Sequence, residues 1–424
     1  MLDIKFIRDN VELIKAAAKK KHLDFDPDKL LAADNQRLEW LKLVETARAK
    51  QNAVNEKIAA APAGGAEKTK LIAEMTALKT ELKKQEEKLS AQMKDWQRLM
   101  LEVPNVPDMS VPDGVADSEN QEIKTWGQKP QFGFPAKNHL ELLAALGGAD
   151  FDRGAKVAGF RGYLLTGALA ELSLALWHWA LAKLIIGGFT PMFMPALVKR
   201  ENLLGTGYLP QGADDLYVTQ DGDYLSGTAE VPVMGSFLDE ILPAAALPKK
   251  IVAFSPCFRR EAGSHGKDVK GLMRVHEFFK VEQVILCAAE HNESVRWHEE
   301  LLTNAENLMQ ALKLPYRVVV NCGGDLGLAA VKKYDLEAWL PSENKYRETH
   351  SISYFHDFQT RRLNIRTRGA DGRLCFVHSL NGTALATPRL LIPLLENYQQ
   401  ADGSILVPEV LRPYLGGREC LNHG

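Results

Sequence analysis

The side chains whose types and spacing most clearly suggest chemistry lie in residues 258–282. This segment reads FRREAGSHGKDVKGLMRVHEFFKVE, so Arg259, Arg260 and Glu261 precede a loop rich in glycine, serine, histidine and lysine. A second patterned run follows the loop and contains Arg274 and Glu282. Guanidinium groups match phosphate oxygens in a bidentate geometry. The segment therefore predicts an anionic ligand that bears phosphate.

A second arginine site occurs more than a hundred residues later. Residues 381–389 read NGTALATPR, which we interpret as another glycine turn that ends in Arg389. If the two arginine sites share one region of space, they suggest triphosphate chemistry. The sequence contains neither GxxxxGK[ST] nor a GxGxxG that follows a strand pattern, so a bound ATP would be held by neither of those loops.

Composition narrows the class of protein. The 424 residues are enough for two or three domains with a full core. The net charge of −2 means that any contact with nucleic acid must come from local patches. Five cysteines form no C-x-x-C pair, which predicts no zinc site and no disulfide framework and favours a reduced, cytosolic setting.

Neither a signal peptide nor a membrane span is predicted. The N-terminus is an amphipathic helix pattern without the apolar core of a signal peptide. The apolar stretch at 168–189 contains charged residues, which predicts a buried helix rather than a membrane span.

The first hundred residues predict a long helical hairpin. Asp26 and Pro27 fit the N-cap and first position of a helix, and APAGG at 61–65 interrupts the pattern. Residues at alternating steps of three and four form a coiled-coil seam: Arg37, Trp40, Val44, Ala47, Gln51, Val54 and Ile58, then Leu71, Met75, Leu78, Leu82, Gln85, Leu89, Gln92, Trp96 and Leu99. Two such arms would reach ~50 Å.

Two functions remain open for this hairpin from its residues alone. It could be a dimerisation arm or spacer, or a lever that grips a large partner. Nine basic side chains could meet a phosphate backbone: Lys42, Arg48, Lys50, Lys57, Lys70, Lys79, Lys83, Lys84 and Lys88. They alternate with acidic residues, however, and such mixed charge is typical of a solvated helix face.

A linker rich in proline follows at 103–114, and the remaining pattern is mixed. Strands are predicted at 251–254, 282–286, 316–320 and 374–377, with an edge strand interrupted by prolines at 189–195. Helices are predicted at 164–186, 291–312 and 387–399. The fold class is therefore α+β, with a helical hairpin followed by an antiparallel sheet flanked by helices, and not a doubly wound array.

These motifs together resemble those of class II aminoacyl-tRNA synthetases. Residues 258–282 are similar to motif 2 of that family, residues 381–389 with 394–399 to motif 3, and residues 168–195 to motif 1, the element that forms the dimer. Thr228, Ala229 and Glu230, the run at 339–348 and the hairpin narrow the resemblance to seryl-tRNA synthetases of the bacterial or organellar type. The resemblance covers essentially the whole chain.

The resemblance implies an ATP-dependent, AMP-forming ligase of the cytoplasm. It would activate L-serine and transfer it to tRNA(Ser), and also to tRNA(Sec), as a homodimer that uses Mg²⁺ and needs neither zinc nor a membrane. It implies a tRNA-binding hairpin at 1–103, a linker at 104–125 and a catalytic domain at 126–424.

The resemblance also implies roles for individual residues. Arg259 would bridge the α-phosphate and the serine carboxylate, and Arg389 would hold the γ-phosphate from the opposite side. The ATP site would consist of Arg259, Arg260, Glu261, Phe278, Glu348, Thr349, His350, Ser351 and Arg389, with Glu261 at the adenine amino group, Phe278 against its ring, and Mg²⁺ on Glu348 and Ser351. The serine site would consist of Thr228, Ala229, Glu230, Arg259, Glu282, Asn381 and Thr383, with Glu230 and Thr228 near the ammonium and with Glu282 and Thr383 at the hydroxyl.

Other residues of the motif 2 loop have open roles. His265, Lys267 and Lys270 could approach the acceptor end of tRNA or belong to a solvated loop. We interpret His276 as a packed structural histidine.

One departure from the family pattern leaves room for alternatives. Family members commonly read E-x-S-S-C-S-N-C, whereas this chain reads ETHSISYF at 348–355. The altered run motivates one alternative, a synthetase-like paralogue that activates an amino acid without charging tRNA. A second alternative is a non-catalytic coiled-coil scaffold, which would leave the joint occurrence of Thr228, Glu230, Arg259, Glu282 and Arg389 without a reason.

Overall fold

The computed structural model describes residues 1–62, 64–263, 268, 270–369 and 371–422. The described chain divides into two compact units. One unit consists of Leu2–Lys19 and Leu23–Pro104, and the other of the described residues from Asn105 onwards together with Met1 and Lys20–His22.

The first unit is helical. Its helices are α1 (Ile4–Asp9), α2 (Val11–Lys20), α3 (Pro27–Ala60) and α4 (Ala66–Glu102). Asp26 caps α3 by accepting a hydrogen bond from the Asp28 amide, as the sequence predicts. The single amphipathic helix expected at the N-terminus is instead two helices, because the Asn10 side chain bonds the Phe6 carbonyl and the backbone leaves the helical conformation there.

The two long helices run antiparallel. Arg48 lies 2.7 Å from Glu86, the Lys88 ammonium lies 4.8 Å from the Trp40 ring centroid, and Gln92 donates to the Ala33 carbonyl. Every predicted seam position is buried or half-buried, and all nine basic residues of the arms are exposed. The predicted coiled-coil hairpin is therefore confirmed, and its seam follows the spacing that the sequence shows.

The second unit is built on an antiparallel sheet. In the described residues it has eight strands, β1 (Gln121–Trp126), β2 (Thr190–Phe193), β7 (Lys249–Phe258), β8 (Glu277–Cys287), β9 (Tyr316–Val320), β10 (Lys332–Leu340), β11 (Lys345–Tyr354) and β14 (His378–Thr387). They follow the order β1-β9-β10-β11-β14-β8-β7-β2, and β2 pairs with β7 in parallel at the edge.

Short strands form three small sheets beside the main one. They are β3 (Leu197–Val198), β4 (Tyr217–Val218) and β5 (Tyr224–Leu225); β6 (Ile241–Leu242), β12 (Arg366–Arg368) and β13 (Leu374–Phe376); and β15 (Ile405–Leu406) with β16 (Cys420–Leu421). The strand predicted at 374–377 is thus β13 of a small sheet.

Residues 381–389 differ from the prediction of a glycine turn. Residues 381–387 lie inside β14, a strand whose ten residues are all buried. Gly382 sits opposite Ile352 of β11, and a Cβ at Gly382 would come within 3.1 Å of the Ile352 side chain. The glycine therefore serves close packing between strands rather than a turn, and the last helix starts at Leu391, later than the predicted Thr387.

Helices cover the sheet. They are α5 (His139–Leu146), α6 (Phe151–Ala158), α7 (Gly167–Ile186), α8 (Arg200–Thr206), α9 (Glu230–Gly235), α10 (His291–Ala311), α11 (Phe358–Arg362) and α12 (Leu391–Tyr398). The main core joins Leu176 and Trp179 of α7 and Leu301 of α10 to Leu336 and Ile352 of the sheet.

By length and composition alone, one described helix, α7, could cross a membrane. Its inner face belongs to the main core, which supports the prediction of a packed helix. The predicted α+β class is confirmed.

Candidate functional site

A cavity of about 310 Å³ opens on one face of the main sheet. It gathers side chains from motifs that are far apart in sequence. Of the predicted site residues, Thr228, Glu230, Arg259, Glu261, Phe278, Glu282, Glu348, Thr349, Ser351, Asn381, Thr383 and Arg389 line it. Its size and its mixture of polar and apolar walls suit a small-molecule site.

Strand geometry explains why these side chains converge. Side chains two apart on a strand point to the same face, so Phe278, Lys280 and Glu282 of β8 all face the cavity. Thr383 of β14 is the register partner of Glu282 on the neighbouring strand, and Asn381 lies two residues before it. The cavity floor is therefore fixed by strand register.

Glu230 begins α9 and is only 2 % exposed. The Tyr208 hydroxyl donates to one of its carboxylate oxygens over 2.9 Å, and Gln359 Nε2 donates to the other over 2.6 Å. Burial raises the pKa of Glu230, the hydrogen bond from Gln359 opposes that rise, and the nearby charge of Glu282 adds to it. The hydrogen-bond partners of this carboxylate are therefore neutral, and a bound cation would stabilise its ionised form.

Glu282 is equally buried but has a different partner. The Lys280 ammonium forms an ion pair with it and also donates to Thr228 Oγ1 over 2.8 Å. Burial raises the pKa of Glu282, and the Lys280 charge, the Arg259 charge and a hydrogen bond from Thr383 oppose the rise. The cavity therefore contains two buried carboxylates in different electrostatic settings.

Arg259 follows β7 and lies between these carboxylates and the rest of the cavity. Its guanidinium carbon is 5.2 Å from the Phe278 ring centroid, and Nη2 is 3.5 Å from the Gly227 carbonyl oxygen. The Arg259 amide donates to the His276 carbonyl, and His276 Nδ1 lies 2.9 Å from the Arg259 carbonyl oxygen. His276 fixes the Arg259 backbone, which agrees with a structural role for this histidine.

Two further groups of charged side chains line the cavity, one around Glu261 and one around Arg389. Glu261, which has a positive φ of 54°, accepts a 2.5 Å hydrogen bond from Arg274. Arg389 lies 3.5 Å from the Glu348 carboxylate and 3.4 Å from the Met273 carbonyl oxygen. Weak contacts of this length leave the Arg389 guanidinium able to turn toward a phosphate.

Three predicted site residues do not line the cavity. Ala229 packs in the core beside Val233, and Arg260 is exposed and donates to the Asp214 carbonyl. His350 is 1 % exposed and lies between Thr349 Oγ1 and the Ala384 carbonyl oxygen, and burial lowers its pKa to about 4. His265 and Lys267 lie outside the described residues, and Lys270 is exposed.

Lys280, Tyr208 and Gln359 were missed by the sequence analysis. The i, i+2 spacing of Lys280 and Glu282 in a predicted strand is a signal that could have found Lys280. Tyr208 and Gln359 are 22 and 129 residues from Glu230, so no local pattern connects them to it.

Comparison with known proteins gives a consistent result along the whole chain. Residues 1–107 match the family model of the seryl-tRNA synthetase N-terminal domain, and residues 217–398 match the tRNA synthetase class II core domain (G, H, P, S and T). The serine–tRNA ligase of Deinococcus radiodurans is 46 % identical over 422 residues, 99 % of each chain.

Two solved structures cover the same extent. The seryl-tRNA synthetase of Pyrococcus horikoshii complexed with ATP superposes with a TM-score of 0.90 at 38 % identity and covers 100 % of both chains. The cytoplasmic serine–tRNA ligase of Naegleria fowleri in complex with AMP gives 0.85 at 30 % identity, over 100 % of this chain and 99 % of that one. Sequence and structure agree from end to end, and the chain therefore belongs to the seryl-tRNA synthetase family of class II aminoacyl-tRNA synthetases.

Proposed function

We propose that this chain activates L-serine with ATP to give seryl-adenylate and pyrophosphate, and then transfers serine to the 3′ end of tRNA(Ser). The observation that carries the proposal is a cavity that joins two buried carboxylates to Arg259 and Arg389. The carboxylates suit an amino acid with an ammonium and a hydroxyl, and the arginines suit a triphosphate. Membership of the seryl-tRNA synthetase family supports both L-serine and ATP as substrates.

Activation needs positioning rather than a base. The serine carboxylate is already an anion at neutral pH; one of its oxygens forms a bond to the α-phosphorus of ATP while the bond to the bridging oxygen breaks and pyrophosphate leaves. Arg259 would neutralise charge on the carboxylate and α-phosphate, and Arg389 would hold the γ-phosphate. This division explains why the cavity offers arginines at the positions where charge must be neutralised.

The motif 2 residues Glu261 and Phe278 would recognise the adenine. Glu261 would accept a hydrogen bond from the adenine amino group, held in place by Arg274. Phe278 lines the cavity beneath Arg259 and would lie against the adenine ring.

Serine recognition uses the two buried carboxylates. Glu230 would receive the ammonium, since its present partners are neutral donors. Glu282 and Thr383 would meet the hydroxyl. A site built to hydrogen-bond a hydroxyl rejects alanine by ~10⁴-fold, because the buried polar group is otherwise left unpaired.

Glu348 and Ser351 fit a Mg²⁺ ion. Both line the cavity and offer oxygen donors, and the Glu348 carboxylate lies beside Arg389. Among the described residues no group of three or more histidine, cysteine or acidic side chains could hold a metal ion by itself. Mg²⁺ binds in proteins through one or two carboxylates plus substrate phosphates. When bound, the ion would offset phosphate charge.

The hairpin would hold the tRNA. Its nine basic residues are all exposed, and within the described residues only Arg48 of the nine forms an ion pair.

We assign residues 1–103 to tRNA binding, 104–125 to a linker and 126–424 to catalysis. We also propose tRNA(Sec) as a second tRNA substrate. All five cysteines are unpaired thiols, which suits a reducing cytoplasm.

A homodimer would bury the outer face of motif 1. Ile186 at the end of α7 is 83 % exposed, and Phe193 of β2 is 85 % exposed. Leu174 and Ile185 add further apolar surface on α7. Several large exposed apolar side chains within one motif favour an interface there.

Pyrophosphate exchange with a panel of amino acids tests the proposal. We expect ATP–pyrophosphate exchange that depends on L-serine and is far weaker with alanine, glycine or threonine. Faster exchange with any other amino acid, or none with serine, would refute the assignment of the cavity.

A further inference from the structure

Lys280 is a buried cation that the proposed reaction does not use. It is 6 % exposed, and its ammonium touches the carboxylate of Glu282 and the hydroxyl of Thr228. It lines the same cavity as both carboxylates. A lysine so far out of water must be compensated by its surroundings, and the ion pair with Glu282 supplies that compensation.

The two carboxylates of the cavity therefore differ in net charge. Glu282 and Lys280 together are close to neutral, whereas the Glu230 carboxylate accepts its hydrogen bonds, within the described residues, from the neutral donors Tyr208 and Gln359. The Lys280 charge acts on Glu230 from a distance, so an ammonium that enters the cavity finds at Glu230 an anion with no cation in direct contact. At Glu282 it would instead approach the Lys280 ammonium, which is a like charge.

We propose that Lys280 is a specificity-determining residue that makes the Glu282 subsite accept a neutral hydroxyl and reject a cationic side chain. The inference rests on the proposed serine site. It also fixes the orientation of serine, because the α-ammonium is directed to Glu230 and the hydroxyl remains for Glu282. The amino acid that Lys280 excludes is L-2,3-diaminopropionate, which has an ammonium where serine has its hydroxyl.

The test is the exchange ratio of these two amino acids in the full-length protein. ATP–pyrophosphate exchange is measured with L-serine and with L-2,3-diaminopropionate at slightly acidic pH, where the side-chain amine is protonated. In the unmodified protein serine is expected to dominate. Two like charges in contact inside a protein repel each other, so Lys280→Met is expected to shift the kcat/KM ratio toward diaminopropionate by about 10²–10³-fold.

A matched lysine provides the control. Lys333 also lines the cavity and pairs with buried Asp335 and with Asp325, but it touches neither Glu230 nor Glu282. Lys333→Met is expected to leave the serine-to-diaminopropionate ratio unchanged, whatever it does to the ATP dependence. An equal shift in both variants would overturn the role of Lys280.

The double variant Lys280→Met with Glu282→Gln separates charge from packing. It removes both buried charges, so it is expected to fold even if the single variant does not. Because the subsite is again neutral, it should keep the preference for serine over diaminopropionate. A gain for diaminopropionate in the double variant, or an unchanged ratio in Lys280→Met, would overturn the inference. Failure of the unmodified protein to activate serine would instead overturn the proposed function.

Discussion

Gln359 offers a quantitative test of how the cavity binds the serine ammonium. It lies in α11 outside the cavity lining, is 1 % exposed, and donates to Glu230 Oε1 over 2.6 Å. Its amide is held in turn by the Ser379 hydroxyl over 2.7 Å and by the Thr206 carbonyl. Gln359→Met keeps the length of the side chain and removes the donor.

The size of the effect follows from the charge of Glu230. A hydrogen bond to a charged group contributes about 1.5–3 kcal/mol, which corresponds to about 10- to 150-fold in kcat/KM for serine. Burial raises the pKa of Glu230 and Gln359 opposes that rise, so removal of Gln359 raises the pKa further. Because the ionised carboxylate binds the ammonium, the acidic limb of the serine kcat/KM profile should move to higher pH.

The assay is serine-dependent pyrophosphate exchange across pH, with Gln310→Met as the matched control. Gln310 donates to the Tyr316 hydroxyl over 2.8 Å and does not line the cavity, so its loss costs a hydrogen bond without touching Glu230. We expect an unmoved acidic limb in the control. If Gln359→Met lowered activity equally at every pH, Gln359 would be only a structural residue and the reasoning would fail.

Two further predictions concern the hairpin and His350. Replacing 35–95 by a short turn should leave serine-dependent exchange largely intact and abolish charging of tRNA(Ser), because the paired arms are removed and the cavity is untouched; charging that survives would rule out the lever role. His350 is buried with a pKa of about 4 against an ordinary 6.5. A histidine held neutral in this way destabilises the fold as pH falls below its unfolded pKa, by about 2 kcal/mol at about pH 5. His350→Ser should therefore lose less stability between about pH 7.5 and about pH 5 in denaturant titrations; an equal loss in both proteins would show that His350 does not titrate as described.

The hairpin could be predicted almost completely from the sequence. Its seam depends on local 3–4 spacing, and each seam position from Arg37 to Leu99 is at least half-buried. Local periodicity suffices there because each helix contacts mainly its neighbour in the chain.

The second unit could be predicted only in part. Most of the residues that the motif resemblance assigned to the site line the cavity, because short motifs keep their residue types and spacing in the sequence. Residues 381–387 were misassigned, since NGT suggests a turn while the neighbouring β8 and β11 make it a buried central strand. Tertiary pairing overrides local propensity in such a strand.

The hydrogen-bond partners of the buried carboxylate Glu230 were harder to predict from the sequence. Tyr208 lies between α8 and β4, and Gln359 lies in α11. Both side chains bond Glu230, but no pattern in the sequence around either residue indicates a site. The unusual run at 350–355 is explained in part by packing, because His350 is bound to the Ala384 carbonyl and faces away from the cavity lining.

Charging of tRNA(Ser) by the full-length protein tests the central claim most directly. Radiolabelled L-serine, ATP, Mg²⁺ and a tRNA(Ser) transcript are incubated with the protein, and label attached to the 3′ end of the tRNA is counted. We predict stable attachment of serine that requires ATP and an intact 3′ ribose, with no comparable attachment of alanine or threonine. Exchange of pyrophosphate without any attachment, or attachment of a different amino acid, would contradict the account.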